Sequence, residues 1–260
     1  MNKLLFAALA VSVSSVPVLL EKGQIEAATL GSAVDFAQAL NTSSFSCLFN
    51  SGFRVVFIRG YNPSGLGSFD GNAITNIRNA YSIGVGTEVF MTPAPASSKT
   101  GTTQFNELYT ALNNNGINIR FIWIQVTSPV NWNSNYSTNL KLIDAIRNAA
   151  RAKGVGIGFY TNQYDWSQIT NGYTGYSKNG DQLWYWRNTG GGTAGASPPS
   201  FVDYYAFGGW TTPSVKQFAQ TVNVCGIWMN KDIYSMSTSA AAAAAARVQK
   251  SEGPVVGGNL

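Results

Sequence analysis

The sequence of 260 residues contains no histidine. Histidine is the general base of Ser-His and Cys-His catalytic pairs and the commonest protein ligand for transition metals. Its absence excludes both kinds of catalytic pair, and we expect neither a metal nor another cofactor. Any catalysis by this chain must use carboxylates, tyrosine, lysine or cysteine.

Charged residues are also scarce, at 11% of the chain against about 25% in an average globular protein. The surface must therefore be rich in uncharged polar residues, which suits an extracellular protein. The net charge is +5, but lysine and arginine form no cluster, so we expect no nucleic-acid partner. A mild positive field favours approach to an anionic surface such as a bacterial wall; alternatively, the charge serves only solubility.

Long hydrophobic runs are confined to the N-terminus. Lys3 precedes an apolar run over residues 4–13, and a second apolar patch covers residues 16–20. This pattern is typical of a secretory signal peptide over residues 1–20 whose cleavage point is blurred, with an uncleaved anchor as the alternative. No other segment is long enough to span a bilayer. We therefore expect a secreted monomer without a membrane span once the signal is removed.

Cysteine occurs only twice, as Cys47 and Cys225. In an oxidising compartment a lone pair of cysteines is most simply a disulfide. The alternative is two separate buried thiols. A disulfide would join the first and last parts of the domain.

Apolar strand-like runs alternate with helical patterns along the chain, which predicts βα units around a parallel sheet. Eight such units favour a single irregular (β/α)8 TIM-type barrel over residues 30–235. Residues 236–260 contain seven consecutive alanines at 240–246, which have no core face beside them, so we expect a disordered tail. The predicted strands cover residues 33–36, 54–61, 87–91, 120–126, 156–161, 183–187, 214–219 and 226–229. The predicted helices cover residues 43–52, 73–83, 102–113 and 136–153, with a short one beginning at 166.

Catalytic groups of such barrels lie at the carboxyl ends of the strands. In this chain the fourth strand, FIWIQVT, ends in Gln125 and Thr127, which cannot ionise near neutral pH. The polar candidates at this face are Asp35, Arg59, Tyr61, Gln125, Thr127, Tyr160, Asn162, Trp184, Gln217 and Asn230.

Aromatic side chains are numerous near the same strand ends, and aromatic faces commonly stack on sugar rings. We predict sugar-binding roles for Tyr61, Tyr160, Trp184 and Trp210. Core packing is the alternative for each of them.

Six motifs occur in a characteristic order: AVDF, FIWIQV followed by Trp132, GIGFYTNQYDW, LWYW, FGGWTTPSVKQF and VCGIWMNKDIY. Together they resemble the glycoside hydrolase family 25 lysozymes, most closely the nematode and protist branch. The resemblance covers about residues 33–234. It implies a barrel that cleaves the β-1,4 link between N-acetylmuramic acid and N-acetylglucosamine in peptidoglycan.

The resemblance also implies catalytic carboxylates on the first, fourth and eighth strands. Asp35 matches the first-strand acid. Gln125 and Thr127 stand where the family has an Asp-x-Glu pair, and Asn230 stands at the eighth-strand aspartate. Asp232 lies where the family usually has asparagine. Tyr160 and Trp184 match aromatic positions of the family.

Three hypotheses follow. The first is a secreted lysozyme-like protein in innate defence that binds peptidoglycan or related glycans with impaired or no catalysis. The second is an active lysozyme with a rearranged acid pair, Asp35 with Asp232 or Asp203. The third is a barrel that binds a partner and no sugar. We expect Asp165 to be a helix cap rather than a catalytic group.

Overall fold

The computed structural model describes residues 30–236, 253–258 and 260. The predicted signal peptide over 1–20 and the alanine run at 240–246 lie outside these residues. In the described part of the chain, no helix combines the length and apolar character needed to cross a membrane. The strands described are β1 (Leu30–Phe36), β2 (Val55–Asn62), β3 (Ser68–Phe69), β4 (Gly86–Met91), β5 (Asn118–Ile119), β6 (Phe121–Gln125), β7 (Gly156–Thr161), β8 (Gln182–Trp186), β9 (Val215–Val224), β10 (Ile227–Ser235) and β11 (Val255–Val256). The α-helices described are α1 (Thr42–Asn50), α2 (Asn72–Ile83), α3 (Gly101–Asn114), α4 (Tyr136–Ala152) and α5 (Gln163–Thr170).

Eight strands close into a barrel in the order β1-β2-β4-β6-β7-β8-β9-β10, and β10 pairs back onto β1. Neighbouring strands from β1 to β9 are parallel. The predicted α/β barrel is therefore confirmed. The carboxyl ends of these parallel strands meet at one mouth of the barrel, where the predicted site residues lie.

The expectation of eight repeated βα units is wrong at the last strand. Strand β10 runs antiparallel to both β9 and β1. Only Cys225 and Gly226 separate β9 from β10, and both have positive φ, 56° and 78°. Such a two-residue turn joins antiparallel strands, whereas a parallel connection needs about a dozen residues. Because β10 begins at the mouth, where the parallel strands end, Asn230 near the middle of β10 still lies close to the mouth.

The barrel divides its apolar side chains into two cores, because successive strand residues point to opposite faces. One core fills the interior, and the other lies between the strands and the surrounding helices. Buried residues of the inner core are Ala33, Val55, Phe57, Phe90, Trp123, Tyr160, Trp184, Val215 and Tyr234. The aromatic rings of this set fill the barrel beneath the mouth.

The longest helix, α4, illustrates how the outer layer forms. Its N-cap Asn135 accepts a hydrogen bond from the backbone N–H of Ser137 through its side chain, as a cap should. Ile143, Ile146 and Ala150 recur at helical spacing and are buried against the sheet. The sequence pattern thus places this helix correctly.

The expectation of a disordered tail is wrong for residues 253–258. Val255 and Val256 form a short parallel strand that pairs with both β4 and β5. Gly257 donates its N–H to the Thr87 carbonyl at 2.9 Å. Its φ angle is 83°, and a Cβ at this position would lie 2.5 Å from the Phe121 side chain. Only glycine fits there. Two valines gave too short a signal to distinguish a strand from a coil.

The predicted disulfide is confirmed. Cys47 on α1 is bonded to Cys225 in the turn between β9 and β10, with the two Cα atoms 6.1 Å apart. The bond joins an early helix to the last hairpin of the barrel. It also fixes the rim of the mouth beside β1.

Candidate functional site at the barrel mouth

Asp35 lies at the carboxyl end of β1, opposite Asn230 on β10. Its Oδ1 accepts a hydrogen bond from Asn230 Nδ2 at 2.9 Å, and its Oδ2 accepts one from Gln217 Nε2 at 2.7 Å. Only 4% of Asp35 is exposed. The carboxylate is thus held as an acceptor by two amides.

Gln217 is the hub of this cluster. Its Nε2 also donates to the Tyr160 hydroxyl at 2.6 Å, and its Oε1 accepts from Gln220 at 3.0 Å. Gln217 is fully buried on β9. Sequence reasoning placed Gln217 among the polar candidates but missed this bridging role, because the hydrogen bonds cross from β9 to β1 and β7.

Asp232 lies one inward position deeper than Asn230 on β10 and is fully buried. Trp184 donates its Nε1–H to Asp232 Oδ1 at 3.0 Å, whereas Oδ2 has no hydrogen-bond partner among the described residues. Burial and the nearby charge of Asp35 raise the pKa of Asp232 well above its usual value.

Burial also raises the pKa of Asp35 to about 6, although the hydrogen bonds from Asn230 and Gln217 oppose the shift. Two buried carboxyl groups so close together cannot both ionise readily. Asp232 therefore holds its proton to a higher pH than Asp35 does. Burial, followed by the charges of Asp35 and Asp232, raises the pKa of Tyr160 well above 10, so its hydroxyl stays protonated.

The opposite side of the mouth has neutral side chains at the ends of β4 and β6, and the buried Glu88 lies deeper on β4, where it accepts a hydrogen bond from Trp123 Nε1 at 3.1 Å. Gln125 Oε1 accepts from Thr92 Oγ1 at 2.5 Å, and Gln125 Nε2 donates to Thr127 Oγ1 at 3.1 Å. Trp132 Nε1 donates to the Thr127 carbonyl at 2.9 Å. The half-buried Gln125 and Thr127 form a chain of neutral groups that cannot supply a proton to a leaving group.

The prediction that Asp165 caps a helix is wrong. The cap of α5 is Asn162, whose side chain accepts from the Asp165 N–H at 2.6 Å. The Asp165 carboxylate instead accepts from Trp186 Nε1 at 3.2 Å and from the backbone of Ser128. Burial raises the pKa of Asp165. Asp165 thereby fixes the loop after β6, where Ser128 has φ of 58°.

Asp203 is committed to an ion pair outside the barrel. Its carboxylate lies 2.8 Å from Nζ of the fully buried Lys216 and accepts from the Tyr185 hydroxyl at 2.8 Å. Despite partial burial, these contacts hold the pKa of Asp203 below its usual value. Lys216 and Gln217 are neighbours on β9 and point to opposite faces. Asp203 therefore cannot act together with Asp35, which removes one of the two rearranged acid pairs.

The predicted sugar-stacking roles of Tyr61, Trp184 and Trp210 do not agree with their burial. Trp184 lies inside the barrel, stacked on Tyr160 with ring centroids 4.0 Å apart. Trp210 donates its Nε1–H to the Asp181 carbonyl at 2.7 Å. Tyr160 alone of the four reaches the Asp35 cluster with its hydroxyl, and its contact with a sugar stays a prediction.

Tyr61 points away from the mouth for a local reason. The register between β2 and β4 shifts between Arg59 and Tyr61, so Tyr61 pairs with the outward-facing Met91. Its hydroxyl donates to Glu107 Oε2 at 2.8 Å in the outer layer. Alternation along β2 predicts an inward tyrosine, but the irregularity reverses it. Arg59 stays at the mouth, paired with Asp70 at 2.8 Å.

The described residues contain no group of three or more acidic or cysteine side chains arranged to hold a metal ion. The polar groups that the described residues present at the mouth include amides, hydroxyls and carboxyls. One side of the mouth offers a charged acceptor, and the other offers neutral hydrogen-bonding groups.

Comparisons with known proteins agree with this architecture. A family model described as "Lysozyme-like protein 1" matches residues 26–218. The chain is 49% identical to "Lysozyme-like protein 2" of Caenorhabditis elegans over 215 residues, which cover 83% of this chain and 77% of the relative. It is 33% identical to "Probable GH family 25 lysozyme 2" of Dictyostelium discoideum over 204 residues, covering 78% and 90% of the two chains.

Solved structures share the fold at lower identity. A family GH25 lysozyme from Aspergillus fumigatus superposes with a TM-score of 0.60 at 14% identity, covering 84% of this chain and 99% of that one. The bacterial lysozyme from Streptomyces coelicolor gives a TM-score of 0.60 at 18% identity, covering 80% and 94%. The chain therefore belongs to the lysozyme-like proteins of glycoside hydrolase family 25.

Proposed function

We propose that this chain is a secreted lysozyme-like protein of bacterial defence that binds peptidoglycan or a related glycan and hydrolyses it poorly or not at all. Family membership supports a glycan-binding or peptidoglycan-hydrolysing role. The observation that carries the choice between the two is the neutral chain of Thr92, Gln125 and Thr127 at the end of β6.

Glycosidic cleavage needs one group that protonates the leaving oxygen and a negative group near the oxocarbenium-like centre. Gln125 and Thr127 stand where the resemblance places these acids, and neither can donate a proton at neutral pH. Loss of a general acid alone typically costs a factor of about 10²–10⁴ in rate. Loss of its negative partner adds several kcal/mol of lost electrostatic stabilisation.

Two of the acids that remain, Asp35 and Asp232, support the same conclusion. Asp35 and Asp232 lie on the same side of the mouth, and both are buried. Both oxygens of Asp35 are occupied by amide donors. A hydrolase needs carboxyl groups on either side of the scissile bond, with about 5–9 Å between them. Asp35 and Asp232 lie on the adjacent strands β1 and β10, so both approach a ligand from one side of the mouth.

Composition and covalent structure support secretion. The disulfide between Cys47 and Cys225 suits an oxidising compartment. The few charges and the net charge of +5 suit an extracellular protein that meets an anionic wall. Relatives named as lysozyme-like proteins are compatible with the same location.

Two measurements on purified protein test the proposal. In a turbidity assay on a bacterial cell-wall suspension, we expect clearing at least a hundredfold slower than by an active family 25 lysozyme. In a pelleting assay on insoluble peptidoglycan, we expect the protein in the pellet. Clearing within tenfold of the active enzyme would refute impaired catalysis, and absence from the pellet would refute glycan binding.

An active enzyme that uses Asp35 and Asp232 is the second candidate. The observation that favours it is the difference between the two acids, because Asp232 keeps its proton at a pH where Asp35, with a pKa near 6, is ionised. In that case slow clearing would be lost as pH falls below about 6, where Asp35 becomes protonated, and would disappear in Asp35→Asn. Equal clearing by wild type and Asp35→Asn would exclude this candidate.

A further inference from the structure

The side chains at the centre of the mouth leave little surface for a ligand, because Asp35, Tyr160 and Gln217 are all buried. An open groove lies beside them at the rim, with a volume of about 470 Å³. We call it the rim groove. Its lining residues are Gln38, Ala39, Leu40, Asn41, Ser44, Gly226, Ile227 and Trp228.

Trp228 is the dominant apolar group of the rim groove. It is 62% exposed, whereas Trp123, Trp166 and Trp184 are fully buried. Trp228 lies two residues before Asn230 on β10, so the two side chains share one face of the strand. Asn230 in turn donates to Asp35. The exposed indole is therefore continuous with the Asp35 side of the mouth.

The walls of the rim groove are fixed with respect to each other. Gln38 Nε2 donates to the Trp228 carbonyl at 2.7 Å, directly across the groove. The disulfide ties α1, which carries Ser44, to the turn that carries Gly226. A site whose walls are already in place loses little conformational entropy when a ligand binds.

The segment between β1 and α1 is held equally firmly from behind. The fully buried Asn76 on α2 accepts from the Leu40 N–H at 2.8 Å and donates to the Gln38 carbonyl at 2.9 Å. The Leu40 carbonyl accepts from Asn79 at 2.9 Å. Both walls therefore hold their shape without a ligand.

The chemistry of the lining identifies the class of ligand. None of the eight lining residues has an ionisable side chain. An uncharged groove offers no pairing for phosphate, an acidic peptide or a cationic peptide. An exposed indole face beside amide and hydroxyl groups instead matches a pyranose ring, which has apolar C–H faces and a polar edge.

We propose that the rim groove binds a neutral hexopyranose unit of a glycan chain, with the sugar stacked on Trp228. The inference rests on the proposed glycan-binding function and locates the contact at the rim, beside Asp35 rather than over it. The disulfide and Asn76 hold the groove ready for binding. A longer chain bound there would extend from Trp228 toward the mouth.

The test compares Trp228→Ala with Tyr164→Ala. Tyr164 is 67% exposed and follows β7, which lies four strands from β1 around the barrel, so it is a matched exposed aromatic on the far side. Binding is measured by isothermal titration with chitohexaose and cellohexaose and by pelleting with insoluble peptidoglycan. The two hexasaccharides separate a need for N-acetyl groups from recognition of the ring alone.

We expect Trp228→Ala to bind at least tenfold more weakly with an unchanged melting temperature, and Tyr164→Ala to bind like wild type. Tryptophan fluorescence gives an independent readout, since binding should shift the wild-type emission to the blue and Trp228→Phe should bind with most of that shift abolished. If the wild type binds the glycan and the affinity of Trp228→Ala is within twofold of it, the proposed role of the rim groove is overturned and the proposed function is left intact. Equal losses in both variants would also overturn it, and no wild-type binding to any probe would overturn both.

Discussion

The two sides of the barrel mouth are built from the same kind of strand end but have opposite electrostatic character. On the β1, β9 and β10 side, Asp35 is buried, charged and bonded to Gln217 and Asn230. On the β4 and β6 side, Gln125 and Thr127 are half-buried, neutral and bonded to each other. A carboxylate that has kept its amide donors therefore faces a strand end that lacks a proton donor.

Under the proposed function, this difference accounts for a lysozyme fold that persists without the lysozyme reaction. The Asp35 side is tied into the barrel by buried hydrogen bonds, so its residues also serve stability. On the other side, the hydrogen bonds of Gln125 and Thr127 are local, so the fold does not depend on whether the residues at these two positions are acidic. Chemistry can be lost there at little structural cost, because half-buried amides and hydroxyls satisfy one another.

The largest effect should come from the covalent tie on the Asp35 side. Reduction of Cys47–Cys225 opens a loop of 178 residues, and we expect the free energy of unfolding to fall by about 5 kcal/mol from chain entropy. Urea unfolding with and without reductant measures this change. The groove walls should also separate, so reduced protein that remains folded should bind chitohexaose more weakly. An unchanged urea midpoint after complete reduction would contradict this prediction.

The second effect is a pH dependence confined to the Asp35 side. The pKa of Asp35 is raised to about 6 in the folded state, so the folded protein binds this proton more tightly than the unfolded chain does. The resulting stability is present below about pH 4 and is lost as pH rises to about 6, by about 3 kcal/mol for a shift of this size. Asp232, whose pKa is also raised, acts in the same direction.

Thermal unfolding between pH 4 and 7 checks this sign. The melting temperature of wild type should fall as pH rises across that range. The fall should be smaller in Asp35→Asn/Asp232→Asn, which lacks both groups. A variant with the same slope as wild type would show that other groups cause the pH dependence. Gln125→Leu, on the neutral side, should keep the wild-type slope.

Matched glutamine substitutions should give the third effect. Gln217→Leu leaves both Asp35 Oδ2 and the Tyr160 hydroxyl buried without their amide donor, which should cost about 2–4 kcal/mol. Gln125→Leu removes hydrogen bonds from half-buried groups that water can reach, and should cost about 1 kcal/mol. Chemical denaturation of the two variants compares the sides directly. Equal losses would contradict the contrast between them.

Much of the fold follows from sequence because its signals are local. Apolar runs and helix periodicity place the first six barrel strands and α4 within a few residues of their observed bounds, whereas β9 and β10 end five and six residues beyond the predicted ends. The antiparallel direction of β10 was not predicted. The long strands β9 and β10, which meet at the Cys225-Gly226 turn, depend on pairing with each other across the hairpin. The tail strand was missed for a similar reason, since Val255 and Val256 need β4 and β5 beside them.

The site was predictable where side-chain alternation is regular and unpredictable where it is not. Asp35, Gln125 and Tyr160 occupy inward positions at the strand ends, as their strands suggest. The shift in β2 turned Tyr61 outward. Asp165 was misassigned because Asn162, three residues earlier, captures its N–H. Neither a bulge nor a competition between two capping residues can be resolved from one sequence.

The most direct test of the central claim restores acids on the neutral side alone. Gln125→Asp/Thr127→Glu, with Asp35 unchanged, is compared with wild type in the cell-wall turbidity assay across pH 4–7. If the mouth lacks only its proton donor and partner, the variant should clear the suspension about a hundredfold faster than wild type. A wild-type rate within tenfold of an active family 25 lysozyme, or a folded, glycan-binding variant no faster than wild type, would contradict the claim.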